Sequence, residues 1–255
     1  LGKLDEATVL YERLVSVLRE KQSEGSDEGE TYLLAAALHG LGSTLVMTGD
    51  MHDAIGILRE ASATVASVDL AQNERGLAAE IKLNLGAAIL SQGDAVESEI
   101  LLRESLAVFR SLHGDSRWEM GVTLSKLGEC LMRQKKYAEA TEMLHEGERI
   151  YASTIGEANN YLTRNLNYQA LVALEQNAHG DAEKLCRRAL DSYVHSGSPA
   201  DMVRARALLT LGTALCRKNQ RTEGRYFLRQ GIEIYQKTNA LDLQEAMTTM
   251  RSCEK

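Results

Sequence analysis

Proline is almost missing from this 255-residue chain, with 1 residue, and the large aromatics are scarce, at 2 Phe and 1 Trp. Few points therefore force a helix to break, and alternating β-branched and aromatic runs that would build a pleated sheet are also few. The two shortages predict an all-α protein. A basic excess is lacking as well. The 29 Lys and Arg stand against 36 Asp and Glu, for a net charge of -7. That composition argues against nucleic acid as the main partner, because a phosphate backbone calls for a clustered cationic face. No uninterrupted apolar run approaches the ~20 residues of a bilayer span, and no charged-then-apolar leader opens the chain. Membrane insertion is not expected, while a targeting segment ahead of Leu1 stays open. Cys130, Cys186, Cys216 and Cys253 lie far apart, without the paired spacing of zinc or dithiol sites. They read as buried thiols, in the cytosol or another reducing compartment such as a stroma or matrix.

What is present is a repeat. Leu-Gly occurs at Leu41-Gly42, Leu85-Gly86, Leu127-Gly128 and Leu211-Gly212, and Gln169-Ala170 fills the remaining slot, in steps of 44, 42, 42 and 42. Twelve residues after each small residue stands another, at Ala54, Ser98, Ala140, Ala182 and Gly224. Seven further on come Ala61, Ser105, Gly147, Ala189 and Gly231. A glycine inside a helix costs about 1 kcal/mol against alanine. Three small positions in each repeat make sense where two antiparallel helices must approach closely, and that contact offsets the cost.

Large side chains recur between the small ones. Leu38, Leu124, Leu166 and Leu208, then Leu45, Ile89, Leu131 and Leu215, form the seam of a first helix. Leu58, Leu102, Leu144, Cys186 and Leu228, followed by Phe109, Tyr151, Tyr193 and Tyr235, form that of a second. The aromatic ladder reads as core rather than as a ligand box. Thr48-Gly49-Asp50, Gln92-Gly93-Asp94, Gln134-Lys135-Lys136 and His179-Gly180-Asp181 read as the turns between them, since Gly and Asp stop and cap helices.

These residues resemble the tetratricopeptide repeat in its long form of about 42 residues, found in kinesin light chains. The Leu-Gly of the first helix, the Gly-Asp turn, the small residue opening the second helix and the connector LHGDSRWEMG carry the resemblance from Gly2 to Tyr235. The His-Pro of that connector is absent, and the family's paired asparagines survive only as Asn84 and Asn167. The resemblance implies a right-handed superhelix of tandem helical hairpins, a single solenoid over residues 1–255. Its parts are a partial repeat at 2–25, full repeats at about 35–78, 79–120, 121–162, 163–204 and 205–239, and a helix at 240–254. That last helix either caps the array, since solenoids need a polar end, or opens a sixth repeat. LGKLDEATVLYERLVSVLRE matches only a turn and a second helix, so the first repeat reads as cut. Glu20 to Glu30, rich in Gly, Ser and acid, reads as an extended surface loop.

No catalytic constellation emerges. HGLGSTL has Leu45 where a dinucleotide fingerprint needs its third glycine, and Arg149 follows His145 and Glu146 where a zinc protease needs its second histidine. No Ser or Cys is set beside a histidine by helical spacing. Neither an enzyme, a cofactor nor a metal is expected.

Recognition remains. In the family the fifth and sixth positions of each first helix face the concave wall, here His39, Leu83-Asn84, Ser125-Lys126, Asn167-Tyr168 and Leu209-Thr210. Asn84, Lys126, Arg164, Asn167 and Tyr168 are the candidate binding residues. Amides suit a peptide backbone, and Lys and Arg suit a carboxylate; the other reading is a merely hydrated wall. The clamp that holds an acidic chaperone tail is not expected, since His39, Ser43 and Val122 stand where it needs Lys, Asn and Lys. Arg133, Glu175 and Arg217 alternate in sign at one repeat position, as an ion-pair ladder or a charged-ligand site. The expected function is a scaffold or adaptor binding a segment of a partner protein, with an acidic segment as one candidate. The alternative is the regulatory array of a larger signalling protein or enzyme whose catalytic part lies elsewhere.

Overall fold

The computed structural model describes residues 2–25, 27–69, 75–113, 118–196, 201–238 and 243–254, and every regular element among them is a helix. In order these are α1 (Gly2–Gly25), α2 (Glu28–Thr48), α3 (Met51–Ala66), α4 (Arg75–Ser91), α5 (Ala95–His113), α6 (Trp118–Arg133), α7 (Tyr137–Thr154), α8 (Asn160–Glu175), α9 (His179–Ser196), α10 (Asp201–Arg217), α11 (Arg221–Thr238) and α12 (Leu243–Glu254). The fold is all-α, of the tandem-hairpin solenoid class. The helices group into two compact units, Leu1–Cys130 and Leu131–Lys255. In the first, each helix from α1 to α5 packs on the next and α2 also lies on α4. In the second, α7 to α12 pack in the same way, with α8 on α10 and α10 on α12.

The small positions do what their spacing predicts. A Cβ placed on Gly42 would come 2.6 Å from Leu58 Cγ, one on Gly86 3.1 Å from Leu102 Cγ, and one on Gly212 2.7 Å from Leu228 Cγ and 2.8 Å from the Gly224 carbonyl oxygen. Glycine here lets the second helix seat its leucine directly on the first. Leu58, Leu102, Leu144 and Leu228 are fully buried in consequence, as are Ala54, Ala61, Ala140, Ala182 and Ala189. Burying each leucine contributes about 1.5–3 kcal/mol. The two serines of the series keep the close approach by bonding across it. Ser98 Oγ donates to the Gly86 carbonyl and Ser105 Oγ to that of Ala79, both at 2.8 Å. Phe109, Tyr151, Tyr193 and Tyr235 are all core residues.

Each hairpin turn hinges on one residue in the left-handed region, seven after the small residue of the first helix: Gly49 (φ 98°), Gly93 (φ 100°), Lys135 (φ 61°), Asn177 (φ 60°) and Asn219 (φ 65°). Gly49 caps α2 by donating to the Leu45 carbonyl, and Asp94 caps α5 by accepting from the Val96 and Glu97 amides. This corrects the turn expected at His179-Gly180-Asp181. That stretch is the first turn of α9, and Asn177, whose short amide tolerates φ above zero, makes the reversal.

Two further expectations are corrected. Glu20 to Glu30 is not an extended loop. α1 continues to Gly25 (φ 106°), and α2 begins at Glu28 behind Asp27, whose Oδ1 accepts from the Glu30 amide at 2.8 Å. The acids that suggested a solvated loop instead open a helix, where its N-terminal dipole favours them. The cysteines are not all thiols: Cys216 and Cys253 are joined by a disulfide, their Cα atoms 5.5 Å apart, while Cys130 and Cys186 are free and buried. Thirty-seven residues of sequence hid a contact that the packing of α12 on α10 creates. Though it has no uninterrupted apolar run, α2 is long and apolar enough by length and composition to cross a bilayer. In the fold Leu34, Ala35, Ala37, Leu38 and Leu41 of that helix are buried in a core shared with Val15, Leu18, Ala61 and Ile81. The connector LHGDSRWEMG lies partly outside the described residues, at 114–117.

Candidate protein-binding surface

In the first unit two of the positions expected to face inward are bonded across neighbouring repeats. Asn84 Nδ2 on α4 lies 2.8 Å from His39 Nε2 and donates to Ser43 Oγ at 3.0 Å, both on α2. Burial lowers the pKa of His39, which favours the neutral ring that can accept at Nε2. Lys126 on α6 donates to Glu129 Oε2 at 2.9 Å, one helical turn on, and Glu129 is buried. Sequence reasoning singled out Asn84 and Lys126 without their partners. The i,i+3 spacing of Lys126 and Glu129 was the legible signal for one of them; for Asn84 the partner lies 45 residues away.

In the second unit, Arg164, Asn167 and Tyr168 share one face of α8, which starts at Asn159 through an Oδ1 cap on the Leu162 amide at 2.7 Å. Spacings of three and four residues place them together. Arg164 is half-buried and has no counter-ion among the described residues. Asn167 is 3% exposed, and its Oδ1 is buried without a hydrogen-bond partner, an arrangement that costs about 1–3 kcal/mol. Tyr168 is buried alongside.

Behind this face Gln169 Nε2 donates to Asn165 Oδ1 at 2.9 Å and to Glu148 Oε2 at 2.7 Å, and Arg188 donates to Glu148 Oε1 at 2.7 Å. Burial alone would push the Glu148 carboxyl up, but the bonds from Gln169 and Arg188, with the charges of Arg188 and His145, hold it below its usual range. The network fixes α8 against α7 and α9. It was not foreseen, because Gln169 occupies a slot that is leucine in four repeats.

Of the alternating charges, Arg217 Nη1 donates to the Leu174 carbonyl at 3.1 Å and Glu175 accepts from the Tyr137 hydroxyl at 3.3 Å. Ion pairs also join successive second helices: Arg19–Glu60 and Arg59–Glu97 in the first unit, Glu148–Arg188 and Arg187–Glu223 in the second.

Residues 77–153, the span of α4 to α7, match the family model of the tetratricopeptide repeat. That span carries tetratricopeptide repeats. A search of curated proteins finds no match. Among solved structures, BtubC (BKLC) from P. vanneervenii is similar over 92% of this chain and 92% of its own, with a TM-score of 0.72 at 15% identity. A putative kinesin light chain from Podosopora anserina with nearly identical TPR-like repeats covers 82% of this chain and 97% of its own, with a TM-score of 0.62 at 18% identity. A signal transduction ATPase with numerous domains from Pyrococcus horikoshii, which has a tetratricopeptide repeat sensor, is similar over 96% of this chain but only 36% of its own length, with a TM-score of 0.68 at 12% identity. At these identities the likeness is one of fold. It places the helical hairpins of this chain beside other arrays of the same architecture.

Proposed function

We propose that this chain is a protein-interaction module rather than an enzyme, and that it binds an extended segment of a partner protein carrying an acidic residue. The observation that supports this reading is the α8 face, where Arg164 has no counter-ion among the described residues beside the unpartnered amide oxygen of Asn167. A carboxylate answers the guanidinium, and a peptide N–H answers the amide oxygen once the side chain turns outward. Tyr168 belongs to the same surface. Asn84 and Lys126 are taken as a separate and weaker patch on the first unit, since a ligand there competes with His39, Ser43 and Glu129. The same surface serves where such an array is the sensing part of a larger chain, as the name of the Pyrococcus protein describes.

The test is a random peptide library displayed on phage and selected against the chain, with the best peptide titrated at two salt concentrations. Selected peptides are expected to be enriched in Asp and Glu. Arg164→Gln should weaken binding by about ten-fold or more, as loss of a charge-assisted contact does, with a smaller effect in high salt. Lys184→Ala, on the exposed part of α9, should leave binding unchanged. Parental affinity in Arg164→Gln would overturn the assignment.

A further inference from the structure

α12 has 12 residues, fewer than an isolated helix needs to persist in water, so its order depends on what holds it. Leu243 and Ala246 pack against Ala205 and Tyr235. Beyond them, Cys253 is bound to Cys216 at the end of α10, and its sulfur faces the Arg221 carbonyl oxygen at 3.9 Å. Room for the sulfurs comes from Gly224, where a Cβ would stand 2.6 Å from Cys216 Sγ. Earlier repeats have Ala54, Ser98, Ala140 and Ala182 at that place.

The two other cysteines are set apart from this chemistry. Cys130 donates its thiol to the Ala95 carbonyl at 2.9 Å within the core, and burial pushes the Cys186 thiol far up, which leaves little thiolate to react. Cys216 is half-buried, while Cys253 is 4% exposed, so Cys216 is the less enclosed of the two residues.

We propose that Cys216 and Cys253 form a reversible oxidation site that clasps α12 onto α10 and α11. In the reducing direction a thiolate of a small dithiol attacks the Cys216 sulfur, the Cys216–Cys253 bond breaks, and Cys253 leaves as a thiolate that takes up a proton. The second thiol of the reductant then displaces Cys216, which is protonated in turn. The protein disulfide gains two electrons and two protons, and the dithiol becomes a disulfide. Oxidation by a small disulfide such as glutathione disulfide reverses the exchange. Released from the bond, α12 keeps only its short apolar seat. Its detachment uncovers Tyr235 and Ala205, which are 2% and 0% exposed when it is in place.

The experiment compares the full chain after glutathione disulfide and after a dithiol, each reagent removed, by peptide mapping and hydrogen exchange. The oxidised protein is expected to yield a linked Cys216–Cys253 peptide. Amides of residues 243–254 should exchange roughly ten-fold or more faster in the reduced form, as in local unfolding, while α8 and α9 exchange alike in both. Cys253→Ala, never reduced, should match the reduced protein over α12. Failure to form the linked peptide, equal exchange over 243–254 in both forms, or loss of protection across α8 and α9 as well would each overturn the clasp.

Discussion

Asn84 and His39 stand 45 residues apart in the chain and meet at 2.8 Å, the amide nitrogen of one facing the ring nitrogen of the other. The bond joins α2 to α4 and holds two adjacent repeats in register. It needs the neutral imidazole, because a protonated ring has no acceptor left to offer.

Stability should therefore depend on pH near neutrality. Burial lowers the pKa of His39 in the folded chain, so the unfolded chain takes up the proton first as pH falls. The contribution is fully present above the unfolded value of about 6.5 and is lost as pH falls below it and through the folded value. The carboxyls of Glu148 and Glu183, both held low, act only in more acid solution. Urea midpoints should drop between pH 7.5 and 5.5, and His39→Gln, which keeps an acceptor without titrating, should flatten that slope. An unchanged slope in the variant would remove His39 as its source.

Two glycines inside helices should respond oppositely to the same substitution. A Cβ on Gly212 meets Leu228 and the backbone of Gly224, whereas one on Gly56 of α3 meets nothing within 4 Å. Gly212→Ala should cost about 1–3 kcal/mol by overpacking. Gly56→Ala should gain about 0.5–1 kcal/mol from helix propensity alone. Chemical denaturation of both variants decides it, and equal effects would discredit the close-approach account of the small positions.

Lys135 holds φ at 61° where two other repeats use glycine and two use asparagine. A left-handed conformation strains an L-residue with a Cβ. Lys135→Gly should raise stability by about 0.5–1 kcal/mol, read from the denaturation midpoint at constant slope.

Repeat logic and the structure disagree about Gln169. The leucine found at the same place in four repeats suggests that Gln169→Leu would stabilise. Its amide, however, donates to Asn165, which is fully buried, and to Glu148. Removing that donor should destabilise by about 1–3 kcal/mol. A more stable Gln169→Leu variant would show that the network contributes nothing.

The hairpins were legible because close packing leaves a mark on composition: only Gly, Ala or Ser fits where Leu58, Leu102 and Leu228 seat, and that mark recurs at a fixed interval. The reversals at Asn177 and Asn219 were not legible in the same way. Glycine announces a left-handed residue, whereas asparagine and lysine adopt it without being distinctive. Glu20 to Glu30 misled because the same acids that suit a solvated loop also suit the first turn of a helix. At the candidate surface, periodicity placed Arg164, Asn167 and Tyr168 on one face. The partners of Asn84 and the Cys216–Cys253 bond depend on which helix lies beside which, and no local pattern encodes that.

The left-handed residue follows the small residue of its first helix by seven positions in every hairpin and precedes that of the second by five, without exception. The step from Gly49 to Gly93 is nonetheless 44 rather than 42, and its two additional residues fall between Ala61 and Gly86, outside that rigid pair of intervals. Length has thus changed only at the joint between one hairpin and the next. The hairpin is the inheritable cassette of this chain, and the stretch from Ser67 to Arg75 is the place where foreign sequence could be spliced in without disturbing a register.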